Sequence, residues 1–265
     1  VTMIQGRLVV VRGAGDLATG VILRLARAGF RVVALETRNP SAIRRTVSFS
    51  EAMYDGSACV EGLWARRFDA LPERWSPGDP VAVLEDPRGD LLARVRPAAL
   101  VDAIIAKRNL GTTLDMAPVV VALGPGFTAG VDAHAVVETN RGHDLGRVLL
   151  SGAAEPDTGV PGLIAGHGSE RVIHAPRAGR VEALCEIGDT VAAGDPVLAI
   201  GGEAVPSAIG GVVRGLIRPG FEARAGLKVA DVDPRCVRAH CHSVSDKARS
   251  IAGGVLEALL MLGSP

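Results

Sequence analysis

The chain has 265 residues, 48% hydrophobic and 22% charged, which is ample for a buried core and by length suggests about two domains. Its 29 basic and 29 acidic residues cancel, so no basic arm or stripe points to nucleic acid. Cys59, Cys185, Cys236 and Cys241 are too few and scattered for a disulfide framework. No uncharged apolar run approaches the roughly 20 residues that span a bilayer, and the start carries no signal-peptide pattern. The expectation is a soluble, cytoplasmic protein with no nucleic-acid or membrane partner and a possible homo-oligomeric state.

Leu8 to Val11 reads as a short buried strand running into Gly13-Ala14-Gly15-Asp16-Leu17-Ala18-Thr19-Gly20. Val21, Ile22, Leu25 and Ala28 then recur at helical spacing up to Gly29. Strand, glycine turn and helix in that order give the G-x-G-x-x-[GA] pattern its physical meaning. Gly13 allows the turn, Gly15 lets backbone approach a phosphate, and the small Ala18 lets helix and strand pack closely, with Asp16 and Thr19 beside them. Arg31 to Glu36 is a second strand, and Glu36 stands about 20 residues beyond the glycines, where a carboxylate accepts ribose hydroxyls. Asp16 counts against a pyrophosphate. Arg44 and Arg45 are either a phosphate grip or a solvated face. Leu63 to Arg96 reads as a hairpin-like elaboration, and Ala99, Leu100, Ala103 and Ile104 predict an amphipathic helix from Pro97 to Arg108.

Val119 to Leu123 is the next buried strand, and it breaks at Gly124-Pro125-Gly126. Phe127, Asp132, His134, Glu138, Thr139, Arg141 and His143 follow among further glycines. Polar groups at the end of a buried strand suggest a binding crevice; the alternative is a loop whose polar residues satisfy its own backbone. Beyond residue 168 the texture becomes all-β. Ala178–Val197 overlays Gly210–Val229 at an offset of 32 residues, which resembles the barrel-sandwich hybrid of lipoyl and biotinyl carriers. Gly201 to Pro206, where a carrier lysine would sit, has none. Lys228, Asp231, Asp233 and Arg235 form either a ligand cluster or a self-neutralising strand end. Cys236, His240, Cys241 and His242 match no common zinc spacing, so no metal site is assigned. Ser245 is the expected N-cap of a closing helix.

The fold class expected is α/β: a Rossmann-like domain over 1–168, a barrel-sandwich-hybrid β domain over 169–239, and a C-terminal helix in 240–265 docking on the body. G-P-G-F-T-A-G-x-D-x-H-A-V-x-E-T-x-R-G-H-x-L-G from Gly124 resembles the signature of the YqeB family, accessory proteins of selenium-dependent molybdenum hydroxylases. So do R-G-A-G-D-L-A-T-G at Arg12–Gly20, R-R-T-V-S-F-S-E-A at Arg44–Ala52, G-L-K-V-A-D-V-D-P-R at Gly226–Arg235 and C-H-S-V-S-D-K-A-R at Cys241–Arg249. The resemblance implies a maturation role related to xanthine dehydrogenase accessory factors, with a molybdenum hydroxylase client as partner. The ligand would be a phosphorylated small molecule, either a molybdopterin-type cofactor or a nucleotide. Gly13 to Thr19, Arg44 and Arg45 would take phosphate, while Asp132, His134 and Glu138 would orient the ring. The alternatives are an NAD(P) oxidoreductase using His134 or His143 as acid/base, and a non-catalytic client-docking protein. Tyr54, the one tyrosine, leaves no tyrosine–lysine pair in support of the former.

Overall fold

The computed structural model describes residues 6–263 and divides into two compact units. Among the described residues, the first comprises 6–40, Ser48–Thr158 and 244–263. The second comprises Ser41–Val47 and Gly159–Ser243.

The first unit is built on a sheet of β1 (Leu8–Arg12), β2 (Arg31–Glu36), β3 (Ser57–Val60), β4 (Leu63–Phe68), β5 (Val81–Glu85), β6 (Ala99–Asp102), β7 (Val120–Leu123), β9 (Ala135–Val137) and β10 (Val148–Leu149). Between β7 and β10, the two-residue β8 (Thr128–Ala129) pairs outside this sheet with β11 (Gly152–Ala153). The order is β10-β9-β7-β6-β1-β2-β5-β4-β3. The interior strands run parallel, while β3 and β10 run antiparallel at the edges. Val9 to Val11, Val32 to Leu35 and Val120 to Leu123 are buried, as near-continuous apolar strands covered on both faces must be. One crossover is helical: α1 (Asp16–Arg27) joins β1 to β2 and buries Ala18, Val21, Ile22 and Leu25. α2 (Ala52–Asp55) is one turn long, and α3 (Asp246–Leu262) packs beside α1, where a Cβ on Gly20 would meet that of Ala248 at 2.9 Å. Ser245 caps α3, its hydroxyl accepting the Ala248 N–H at 3.1 Å.

The expected fold is therefore corrected. A Rossmann domain alternates strands with crossover helices, whereas this unit is mostly strands in a mixed sheet, and irregular chain joins β5, β6 and β7. The stretch expected as a helix after Pro97 contains β6 instead. Its four residues are all buried between β1 and β7, and sheet pairing overrides their helical spacing. The supposed hairpin elaboration contributes β4 and β5, which pair parallel to each other within the main sheet.

The second unit holds β12 (Val172–His174), β13 (Gly179–Ala183), β14 (Thr190–Val191), β15 (Pro196–Ile200), β16 (Glu203–Pro206), β17 (Gly211–Leu216), β18 (Glu222–Ala223) and β19 (Lys228–Asp233). They form two antiparallel sheets, β12-β19-β17-β14 and β16-β15-β13-β18. The 32-residue repeat reappears as an exchange: β13 pairs with β18 of the other copy, and β17 with β14. The exchanged strands are only two residues long, and β12 and β16 extend each sheet outside the repeat. The barrel-sandwich-hybrid expectation is accordingly replaced by this pair of mixed-origin sheets. Val181, Val197, Leu198, Val213, Leu216 and Val229 fill the core between them. Residues 41–47 join this unit through the Leu216 N–H, which donates to the Ile43 carbonyl at 2.7 Å.

Candidate ligand crevice at the edge of the parallel sheet

Strand order reverses between β1 and β6: the chain leaves β1 toward β2 on one side and returns to β6 on the other. In an open parallel sheet such a reversal opens a crevice beyond the carboxyl ends of the strands. Gly13 sits there at φ +99, and a Cβ on it would lie 2.9 Å from the Ala103 carbonyl oxygen. On the other side, a Cβ on Gly126 would press on the Arg108 backbone. The loop after β6 is thus pinched between two turns, and within it Ile105 and Lys107 adopt φ 60 and 63. Such left-handed conformations cost on the order of 1–3 kcal/mol each for residues of this kind.

The loop is anchored by a buried network. Arg12 Nη1 donates to Thr112 Oγ1 at 2.5 Å and lies 3.4 Å from Asp102 Oδ2, and the Thr112 hydroxyl donates to the same carboxylate oxygen at 2.6 Å. Arg12 Nη2 reaches the carbonyls of Leu110 and Pro87 at 3.3 and 3.5 Å. Sequence reading missed these residues. The available signal was a charged residue closing each of two apolar runs, Arg12 after Val11 and Asp102 after Val101.

Glu36, at the end of β2, stands over the glycine turn. Its Oε2 accepts the Ala14 N–H at 2.8 Å and its Oε1 the Thr37 N–H at 2.7 Å. Burial pushes its carboxyl above the ordinary range, more than the amide hydrogen bonds pull it down. Residues 48–51 are stitched onto the same turn: Ser50 N–H donates to Ala14 O at 2.8 Å and Phe49 N–H to Thr19 Oγ1 at 2.9 Å. Thr19 in turn donates to Ala14 O at 3.1 Å. The Ser50 hydroxyl is fully buried with no hydrogen-bond partner among the described residues. Asp16 Oδ1 accepts the N–H of Leu17. The structure therefore brings Gly13, Gly15, Asp16, Ala18, Thr19 and Glu36 together.

The later residues are placed otherwise. Asp132 Oδ2 accepts the Thr128 N–H at 2.7 Å, and its Oδ1 accepts from Asn109. His134 Nδ1 accepts the Val120 N–H at 3.0 Å, locking the ring against β7. Buried Glu138 accepts three backbone N–H groups, from Thr139 and Asn140 at 2.6 Å and Glu155 at 2.7 Å. Thr139 packs on Gly124, Phe127 lies in the core, and Arg141 forms a forked pair with Asp246 at 2.7 and 2.9 Å. His143 is exposed. Arg44 and Arg45 belong to the second unit, where Arg44 donates to the carbonyls of His240 and Ser243 and Arg45 to that of Leu216. Cys236 is exposed whereas Cys241 is buried, and no group of three metal-ligating side chains occurs among the described residues.

No family model matches the chain. It is 52% identical over 258 residues to the uncharacterized protein YqeB of Escherichia coli K12, covering 97% of this chain and 48% of that protein. The chain thus spans about half the length of this curated relative. The identity supports the resemblance to the YqeB family, while that name assigns no activity. Similar solved structures include a succinylglutamate desuccinylase from Silicibacter sp. TM1040 (13% identity, TM-score 0.26) and a succinylglutamate desuccinylase/aspartoacylase from Rhodobacter sphaeroides (16%, TM-score 0.28), each covering 86% of this chain and 85% of the other. The product-bound ectoine utilization protein EutE from Ruegeria pomeroyi matches with the same coverage at 13% identity and a TM-score of 0.25. None of these names supports the expected role in molybdenum hydroxylase maturation, which is set aside, and neither the oxidoreductase nor the client-docking alternative gains support. At such TM-scores the likeness gives this chain no activity of its own. Among the described residues, no helix is long and apolar enough to cross a membrane.

Proposed function

We propose that the first unit binds a small polar molecule at the carboxyl-terminal edge of its parallel strands, with hydroxyl or amine donors of the ligand accepted by Glu36 and Asp16 across the glycine turn. The observation that carries this reading is Gly15. Its φ of −66 and ψ of −173 suit any residue, and a Cβ built on it meets nothing within 4 Å. Internal packing therefore does not require glycine there, and the bare backbone beside Glu36 is open to a ligand. Glu36 accepts the Ala14 and Thr37 N–H groups and a Thr37 side-chain contact, three of the roughly four acceptor positions of a carboxylate, and so keeps capacity for a donor.

A phosphorylated ligand is the second reading, favoured by the N-terminus of α1, where a helix dipole attracts anions. Asp16 in the first turn and Glu36 on the Ala14 N–H already supply negative charge there, which favours donor groups over phosphate. Native mass spectrometry of the purified protein, followed by thermal-shift titration with matched polyols, amines and phosphate esters, separates the two. Gly15→Ser supplies a better helix cap than glycine, so it should keep or raise stability while blocking the ligand. Glu36→Gln should weaken a donor ligand by about tenfold or more. Ligand binding undiminished in both variants would sink the proposal.

A further inference from the structure

The second unit buries an arginine whose carboxylate partner is already engaged by another. Among its described residues, Arg171 and Arg214 are buried beside the buried carboxylates Asp231 and Asp233. Arg171 and Asp231 pair with each other. Asp233 is held by Arg235, whose Nε donates to Oδ1 at 2.9 Å and whose Nη2 donates to Oδ2 at 2.6 Å. Arg235 comes from the half-exposed turn after β19 and adds its own charge. Arg214 reaches that engaged carboxylate only at 3.5 Å. It is 7% exposed, and its Nε has no hydrogen-bond partner among the described residues.

A buried guanidinium that shares its counter-ion with a second arginine and is not fully hydrogen-bonded is costly. Arg214 sits where the β17–β19 register slips, between Val213 and Gly215, and a bulge of this kind re-aims a side chain out of the ladder. The nearby thiol is not the missing anion. Burial pushes Cys241 up, and the charges of Arg44, Arg214 and Arg238 do not bring it back down, so at neutral pH it is a protonated donor, bonded to the Val213 carbonyl.

We propose that Arg214, with Arg235 beside Asp233 and with Cys241 in its wall, forms a site for a small oxyanion, the phosphate or carboxylate group of a ligand. The planar guanidinium fork suits such groups in charge and shape. This site stands on the second unit alone and does not depend on the crevice proposed above.

The test uses inorganic phosphate, sulfate and acetate as probes against sodium chloride at matched ionic strength. Calorimetric titration of the full chain should show saturable binding of at least one of the three. Arg214→Gln should lower that affinity at least tenfold while leaving the circular dichroism spectrum unchanged, and Arg214→Lys should retain part of it. As a readout that does not require the variant to fold, alkylation of Cys241 in the wild-type chain, followed by peptide mass spectrometry, should slow in the bound anion and not in chloride. Absence of saturable binding by all three probes, equal affinity in wild type and Arg214→Gln, or an unchanged Cys241 rate in saturating anion would each overturn the site.

Discussion

Arg12 and Arg214 are both buried arginines on strands, one in each unit, and the difference between them separates scaffold from site. Arg12 has a neighbouring carboxylate, a threonine hydroxyl and two carbonyls around its guanidinium, and Asp102 is matched to it across adjacent strands. Arg214 shares one carboxylate with a better-placed competitor and keeps an unsatisfied nitrogen. The carboxylates divide in the same way. Glu138 is filled by three backbone donors deep in the fold, whereas Glu36 accepts two backbone N–H groups and a Thr37 side-chain contact and is held against the cost of its own burial. A polar group whose partners are all internal holds a loop in place. One with capacity left over is where a ligand gains most, because the protein has already borne its desolvation.

The largest effect that would sharpen this contrast comes from truncating each arginine in turn. Arg12→Gln leaves Asp102 buried without its cation, and breaking such a pair costs roughly 3–5 kcal/mol. Arg214→Gln in anion-free buffer removes a buried charge whose counter-ion Arg235 also holds, and should leave stability unchanged or raise it. Urea unfolding monitored by circular dichroism measures both. Equal losses for the two variants would erase the distinction on which the second site stands.

A middle-sized effect tests the carboxylates. Glu138→Gln keeps one accepting oxygen but turns an NH2 group toward backbone donors, so at least one N–H loses its acceptor inside the fold. The expected loss is about 1–3 kcal/mol, with no change in ligand binding at the glycine turn. If ligand binding fell with stability unchanged, Glu138 would have to be moved from the scaffold to the site.

How far this division could be read from the sequence depends on the range of the interactions. β1, α1, β2 and β7 were legible because apolar runs and a glycine turn are local signals, and Ser245 could be read as a cap for the same reason. β6 was not: four buried residues between two strands carry no periodicity that tells strand from helix. Nor was the pairing of Arg12 with Asp102, which lie 90 residues apart. Asp132, His134 and Glu138 looked like ligand groups because a polar side chain in a glycine-rich loop reads the same whether it faces a ligand or its own backbone. Arg44 and Arg45 could not be assigned to the second unit from a segment that lies, in sequence, within the first.

Glu36 supplies the smallest effect and the finest test. The unfolded chain carries this carboxyl at its ordinary value of 4.5, and burial raises it in the folded chain despite the N–H groups of Thr37 and Ala14 and the Thr37 side chain. A carboxyl raised on folding binds its proton more tightly in the folded state, so its contribution to stability is fully present below about pH 4.5 and is lost as pH rises through the folded value. The stability of wild type minus that of Glu36→Gln should therefore fall across that window and flatten above it, in urea-unfolding series at closely spaced pH. The flat region is where the ionised carboxylate remains in place at a cost, ready for a donor. A difference that instead grew with pH would mean that the hydrogen bonds from Ala14 and Thr37 outweigh burial. Glu36 would then be a satisfied scaffold carboxylate like Glu138, and the crevice would lose the acceptor on which its ligand depends.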